Sequence, residues 1–390
     1  MTGSPIMNTY GTRDITLVKG EGVYVWDSEG RRYIDGISGI AVCGLGYSHP
    51  AVTKAICDQA HTLIHCSNLY MIEPQFKLGQ ALIDVSGMDK VFFSNSGAEA
   101  NEAALKIARK YGQQKGITSP EVITADKSFH GRTMATLSAT GNDKVKQGFF
   151  PLLSGFSHAA FNSIDAIKEA ATDNTVAIMV EPIQGEGGVN VPSPEYLSQL
   201  RQLCDEHDWL LILDEIQTGN GRTGKYFAYQ HYGLLPDVVT TAKGLGNGVP
   251  IGACLARGKA AEVLQQGNHG STFGGNPLAT NAGLAVVNEL RSSGIIDRAG
   301  LLGKDMLLGL KNALADHPSV TDIRGMGLMI GIELDRPCGE LVSIATSKGL
   351  LINVTAGNTI RLLPPFILDD NQAAEIVSIV SAIVNEFLWE

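Results

Sequence analysis

Nowhere do the 390 residues approach the run of about 18 apolar residues that a membrane-spanning helix requires. Cysteine is sparse: six thiols, at positions 43, 57, 66, 204, 254 and 338, lie scattered with no C-x-x-C pair. That spacing argues against a disulfide framework and against a zinc site, and it fits reduced thiols in a cytoplasmic protein. Basic residues are in deficit, 30 against 40 acidic ones, for a formal charge of −10. That balance argues against the basic track that a nucleic-acid backbone demands, although it leaves room for a local basic site. No low-complexity tract, charge block or internal repeat interrupts it. The opening residues lack the basic-then-apolar layout of a secretory signal. Met7 reads as a natural start, with the residues before it set aside as a cloning remnant.

What the chain does have is apolar material, 44% of its residues, and 45 glycines. At about 150 residues per domain, this length allows two or three lobes or one large enzyme core. Strand-like runs alternate with helix-like segments, the signature of α/β architecture. Residues 91–93, 176–180 and 210–213 read as buried strands, and the last two run straight into Glu181 and Asp214. Ligands of doubly wound sheets gather beyond the carboxyl ends of strands, so both acids are candidates for a site. Taken singly, either acid could equally cap the next turn.

Ala100, Ala103, Ala104, Ile107, Ala108 and Tyr111 recur at helical spacing. Pro194 suits a first helical residue behind a Ser193 cap. The first ~50 residues resemble a hairpin outside the central sheet. Residues 325–333 and 359–363 read as strands of a second, smaller lobe, closed by a helix that Asp369 or Asp370 caps, with Ile376, Ile379, Ile383 and Phe387 facing inward. The expected division is 1–55 and 281–390 in the smaller unit, with 56–280 as the large one.

Three phosphate readings compete on two segments. Residues 219–225, Gly-Asn-Gly-Arg-Thr-Gly-Lys, match both G-x-G-x-x-G and the G-x-x-x-x-G-K part of a P-loop. A P-loop needs Ser or Thr after the lysine for Mg²⁺, and this chain has Tyr226. A dinucleotide fingerprint needs a second strand ending in an acid about 20 residues on, yet Asp237 precedes its apolar run. The third reading uses Phe93-Ser-Asn-Ser96-Gly97-Ala98, where a strand breaks into a small-residue turn opening a helix. Unpaired N–H groups and the helix dipole make such a start a phosphate cradle, although a plain capped turn looks the same.

Lys243 stands where a short strand enters a glycine-rich loop. Most such lysines are solvated. One facing an aldehyde cofactor instead forms a Schiff base, with the aromatic ring as electron sink. That chemistry requires a carboxylate at the ring nitrogen, and Asp214 has the right place; Phe129 and Ile216 are available to sandwich the ring. No metal is needed.

The stretch 213–219, Leu-Asp-Glu-Ile-Gln-Thr-Gly, with Lys243 lying 29 residues past Asp214, resembles the class III pyridoxal-phosphate aminotransferases of fold type I. The resemblance extends from about residue 10 to 388, with supporting matches at 38–46, 67–74, 95–103, 129–133 and 270–276. It implies a large domain with a central, mostly parallel sheet and a smaller α+β domain from both ends of the chain. It also implies pyridoxal 5′-phosphate as cofactor, with Lys243 as its covalent anchor and proton shuttle. Asp214 would pair with the ring nitrogen, Gln217 with the ring hydroxyl, and Ser96, Gly97 and Ala98 with the phosphate. Thr272 would join from the neighbouring subunit of a homodimer with shared sites.

Within the class, the chain is most similar to the branch acting on N²-acetylornithine and 2-oxoglutarate. That likeness implies Arg132 at the carboxylate of the acetylated ornithine and Arg361 at the α-carboxylate of glutamate or 2-oxoglutarate. The guanidinium fork suits both. It further implies Glu186 as the acid shielding Arg361, Ser271 near the substrate, and a structural His130. Cys43, where relatives commonly have Asn, departs from the pattern near the expected entrance, and Met71-Ile72 after Tyr70 depart from it as well. Ornithine, succinylornithine and 4-aminobutyrate aminotransferases remain alternatives. A nucleotide-binding module on 219–225 and an inactive structural relative are readings from other classes.

Overall fold

The alternating pattern folds into three sheets in the computed structural model, which describes residues 5–10, 14–314 and 317–389. Residues 1–4 of the segment read as a remnant before Met7 lie outside the described residues. The strands are β1 (Leu17–Glu21), β2 (Tyr24–Asp27), β3 (Arg32–Asp35), β4 (Lys90–Ser94), β5 (Glu121–Ala125), β6 (Phe156–Ala159), β7 (Thr175–Val180), β8 (Leu210–Asp214), β9 (Val238–Thr241) and β10 (Gly252–Ala256). They continue with β11 (Val320–Met326), β12 (Met329–Leu334), β13 (Leu350–Leu351), β14 (Asn353–Thr355) and β15 (Thr359–Leu362).

Seven strands form the central sheet in the order β4-β10-β9-β8-β7-β5-β6. From β9 to β6 every neighbouring pair is parallel, and only β10 runs against its neighbours β9 and β4. Every residue of β7 and β8 is buried, which explains their unbroken apolar sequences: a strand covered on both faces has no polar side to alternate with. Because β4, β5, β7, β8 and β9 all point the same way, the loops that follow them meet at one edge. There an open α/β sheet binds its ligand.

The helix Gly97–Gln114 lies on this sheet through the predicted alanine face, with Ala100, Ala103, Ala104 and Ala108 fully buried. Side chains of one carbon let the helix sit close to the strands. Strands β1, β2 and β3 form an antiparallel meander, and β13 adds alongside β3 in parallel. The third sheet, β11-β12-β15-β14, is antiparallel and carries Arg361 on β15. Asp369 accepts the Gln372 N–H at 2.8 Å while Gln372 Oε1 accepts that of Asp369 at 2.9 Å. This reciprocal cap starts the closing helix Asp370–Trp389, whose Ile376 and Ile383 are fully buried.

Two local expectations need correction. Residues 325–333 are not one strand: β11 ends at Met326, the chain turns at Gly327 with φ +54°, and β12 begins at Met329. The flanking Met and Ile residues mask the turn, which is tied down by a Leu328 N–H to Arg222 O bond of 3.0 Å. The helix expected from Pro194 begins at Tyr196. Ser193 does not cap it, because its N–H and hydroxyl both go to Asn162 Oδ1, at 2.9 and 3.0 Å.

Gly303, in the helix Ile295–Leu314, meets the β11–β12 turn backbone to backbone: a methyl there would lie 2.0 Å from the Gly327 carbonyl oxygen. Overpacking of this kind costs about 1–3 kcal/mol, more than the roughly 1 kcal/mol that alanine gains in helix propensity. Gly303→Ala is therefore expected to lower the thermal unfolding midpoint by a few degrees. An unchanged or raised midpoint would contradict the contact.

Candidate active site

The converging loops enclose a cavity of about 380 Å³. Its wall includes Ser96, Gly97, Ala98, Phe129, Arg132, Asp214, Ile216, Gln217 and Lys243, drawn from four separate segments of the chain. The break after β4 forms one end. Ser96 caps the helix Gly97–Gln114 by accepting the Glu99 N–H at 3.2 Å, and its own hydroxyl proton remains to donate. Helix geometry leaves the N–H groups of Gly97 and Ala98 without intrahelical acceptors. Gly97 is needed here, since a Cβ would come within 2.7 Å of Ile216.

Asp214, at the end of β8, is the most tightly held group in the cavity. Its Oδ2 accepts the Asn101 amide and the His130 Nδ1–H, each at 2.8 Å, and Oδ1 accepts the Ile216 N–H at 3.1 Å. A carboxylate only accepts, so the bond places a proton on Nδ1 of His130. His130 Nε2 is buried without a partner. Asn101 is itself fixed by Thr240 at 2.7 Å and by donating to the His130 carbonyl at 2.7 Å.

Lys243 follows β9 with φ +44°, a left-handed backbone unusual for a side-chain-bearing residue. Its amine has no hydrogen-bond partner among the described residues and lines the cavity. Burial lowers its pKa, opposed by the charge of Glu186 and aided by that of Arg361. Arg361, fully buried, donates through Nη1 to Glu186 at 2.6 Å and to Gln217 Oε1 at 3.1 Å, and through Nε to Asn353 at 3.2 Å. Its Nη2 is buried and unpaired, half of a carboxylate fork left open. Burial works to raise the Glu186 pKa, but Arg361, Lys243 and Gln217 together leave it below the usual range.

Segment 219–225 offers no phosphate cradle. Its Asn220, Arg222 and Thr223 are buried, the N–H groups of Gly219, Gly221, Arg222 and Gly224 are bonded to backbone carbonyls, and only the short 3₁₀ helix Ala228–Tyr232 follows. Asp237 is spent on Arg201 and the Leu211 N–H, at 2.7 and 2.8 Å. Ser271 and Thr272 lie outside the cavity wall: Ser271 Oγ accepts from Asn95 at 3.2 Å, and Thr272 is exposed.

The family model for class III aminotransferases matches residues 7–384. The chain belongs to the class III aminotransferases. Acetylornithine aminotransferase of Nitrosomonas europaea is 52% identical, covering 99% of this chain and 98% of the relative. That of Methanocaldococcus jannaschii is 45% identical, over 97% and 96%. Among solved structures, an N-acetylornithine aminotransferase from Stenotrophomonas maltophilia matches with TM-score 0.85 and 36% identity, covering 98% of each chain. An ornithine aminotransferase from Toxoplasma gondii matches with TM-score 0.93 and 35% identity, over 96% of this chain and 91% of that one.

As a class III aminotransferase, the protein is a pyridoxal-phosphate-dependent transaminase of α/β, fold-type I architecture. Its residues fit that cofactor on their own terms: the cavity joins free helix N–H groups, an unbonded lysine amine and a buried carboxylate. Sequence reasoning missed Asn101, whose signal was a polar residue on an otherwise alanine-lined helix face. His130, expected to be structural, holds Asp214 through its ring.

Glu181, raised as a candidate, lines the same cavity and accepts the Phe129 and Gly185 N–H groups at 3.1 and 3.3 Å. Burial pushes its carboxyl up to about 7. The folded protein thus holds this proton more tightly than the unfolded chain, so stability from this group falls as pH rises from the ordinary carboxylate range to about 7. Glu181→Gln removes that term. The midpoint of the apoprotein variant minus that of wild type is expected to become more positive between about pH 5 and 8. Thermal scans at several pH values check this, and a pH-independent difference would refute it.

Proposed function

We propose that the protein is an acetylornithine aminotransferase, moving the terminal amino group of N²-acetyl-L-ornithine to 2-oxoglutarate to give N-acetyl-L-glutamate 5-semialdehyde and L-glutamate. The observation that carries this is the half-paired Arg361, bound to Glu186 and Gln217 at the edge of the lysine cavity. Relatives named for this activity are 45–52% identical over nearly their whole length. The route serves arginine biosynthesis.

When bound, pyridoxal phosphate supplies an aldehyde carbon for covalent capture of amines and a ring that withdraws electrons. Gly97, Ala98 and Ser96 would hold its phosphate, with Thr272 of the neighbouring subunit. Phe129 and Ile216 would flank the ring, Gln217 would meet its hydroxyl, and Asp214 would keep its nitrogen protonated. The Asn101 and His130 bonds stabilise that carboxylate as an anion. Lys243 would anchor the cofactor, and its amine would hold and move the proton at the substrate carbon bearing nitrogen. Its depressed pKa makes the neutral, proton-accepting amine more accessible.

Arg132, whose guanidinium carbon lies 5.4 Å from the Phe129 ring centroid, takes the carboxylate of the acetylated substrate, with Ser271 nearby. Glu186 neutralises Arg361 during that half-reaction. The α-carboxylate of 2-oxoglutarate or glutamate then displaces Glu186 and fills the fork. Acetylation removes the α-amino charge and stops the aldehyde product from cyclising.

The same reading makes the protein a cytoplasmic homodimer with shared sites, divided at 1–55, 56–280 and 281–390. Leu69, Tyr70, Met71 and Phe273 are 61–86% exposed beside Thr272, an apolar surface of the kind a partner subunit covers. Sedimentation is expected to give twice the chain mass, and a monomer at micromolar concentration would contradict this. Given 2-oxoglutarate, the holoenzyme is expected to favour N²-acetylornithine over ornithine by about tenfold or more in kcat/KM. Equal or better turnover of ornithine overturns the assignment. Borohydride is expected to fix the cofactor on Lys243 and on nothing in Lys243→Ala; labelling elsewhere would overturn the anchor.

A further inference from the structure

Arg222 and Arg361 lead the fully buried side chains by size. Arg361 has a carboxylate partner; Arg222 forms no ion pair among the described residues. Its Nη1 donates to the carbonyls of Leu328 and Pro364, at 3.0 and 2.5 Å, and Nη2 donates to Ser38 Oγ at 3.2 Å. The guanidinium carbon lies 4.5 Å from the Phe366 ring centroid, and Nε has no partner. A buried cation hydrogen-bonded only to neutral oxygens, with the Asp35 charge as its one electrostatic support, is a poor way to gain stability, since an apolar side chain of similar volume avoids its desolvation. The arrangement serves placement instead.

The groups it grips belong to separate segments that meet near the cavity. Pro364 follows Arg361 by three residues, on the strand-end leaving β15. Leu328 sits in the turn of the same sheet. Ser38 donates its hydroxyl to Leu363 O at 2.6 Å and precedes Val42, which lines the cavity. Arg222 itself stands five residues past Gln217, whose side-chain oxygen accepts from Arg361. One guanidinium therefore fixes the end of β15 against the loop that carries Asp214 and Gln217.

We propose that Arg222 is a positioning residue that sets Arg361 against Gln217 and Glu186, and so determines how well the site takes the α-carboxylate of glutamate and 2-oxoglutarate. This rests on the reading of Arg361 given under Proposed function. The other substrate's carboxylate is assigned to Arg132, on a loop Arg222 does not touch, so the two half-reactions should respond differently.

The test follows each half-reaction of the holoenzyme by absorbance in single turnovers, one with glutamate and one with N²-acetylornithine. In Arg222→Met, which keeps bulk and loses the donors, the half-saturating glutamate concentration is expected to rise about tenfold or more, as small misplacements of a binding group do. Its limiting rate should change little, and half-saturation by N²-acetylornithine should stay within about twofold. Arg222→Lys should recover part of the glutamate affinity. Ser38→Ala, which removes one partner only, should show the same split at smaller size and carries the test if Arg222→Met does not fold. Equal losses in both half-reactions, or none, overturn the proposal. Arg361→Lys serves as control: if it spares the glutamate half-reaction, the reading of Arg361 fails; if it impairs glutamate while the Arg222 and Ser38 variants do not, only the positioning role fails.

Discussion

The buried carboxylate of Asp214 is the constraint around which the rest is arranged. A charge at the end of a fully covered strand is tolerated only where donors surround it. Here three converge, from the helix Gly97–Gln114, from the loop after β5 and from the residue two places on. Supplying them dictates much else. The helix must lie close enough for Asn101 to reach, which its alanine face permits. Thr240 on β9 must hold the far side of that amide, which aligns the strand leading to Lys243.

A second layer of the same logic links two of the sheets. Arg361 comes from the third sheet and Gln217 from the loop after β8 of the central one, and Glu186 bridges them within 2.6 Å of the guanidinium. The approach is close: a Cβ at Gly185 would lie 2.1 Å from the Gln217 side-chain oxygen, so glycine is the residue that leaves room. The site is thus a junction of independent chain segments, each brought in by backbone contacts and closed by one or two charged side chains.

Much of this was legible in the sequence because the signals were local. Continuous apolar runs marked β7 and β8, the Ala spacing marked a helix face, and the small residues after Phe93 marked the turn into that helix. What escaped was of two kinds. The Gly327 turn and the start at Tyr196 depend on distant partners, Arg222 and Asn162, which no local window contains. Arg222 itself sat in a segment resembling nucleotide motifs, and only the burial of that loop shows why its glycines are there: they admit neighbouring backbone, as at Gly224, where a Cβ would meet Gly300 at 2.8 Å.

The reversed strand β10 has a further effect. Parallel neighbours are joined by long crossovers, but β9 and β10 are antiparallel and adjacent, so the chain returns directly through residues 242–251. Lys243 thereby sits in a short span tethered at both ends to the same sheet, with Gly252 packed against the carbonyl of Ser96. Length change here has no slack to absorb it. Among homologous chains, insertions and deletions should accumulate around the outer helices and leave this connection at constant length, which makes it a natural ruler for aligning distant members.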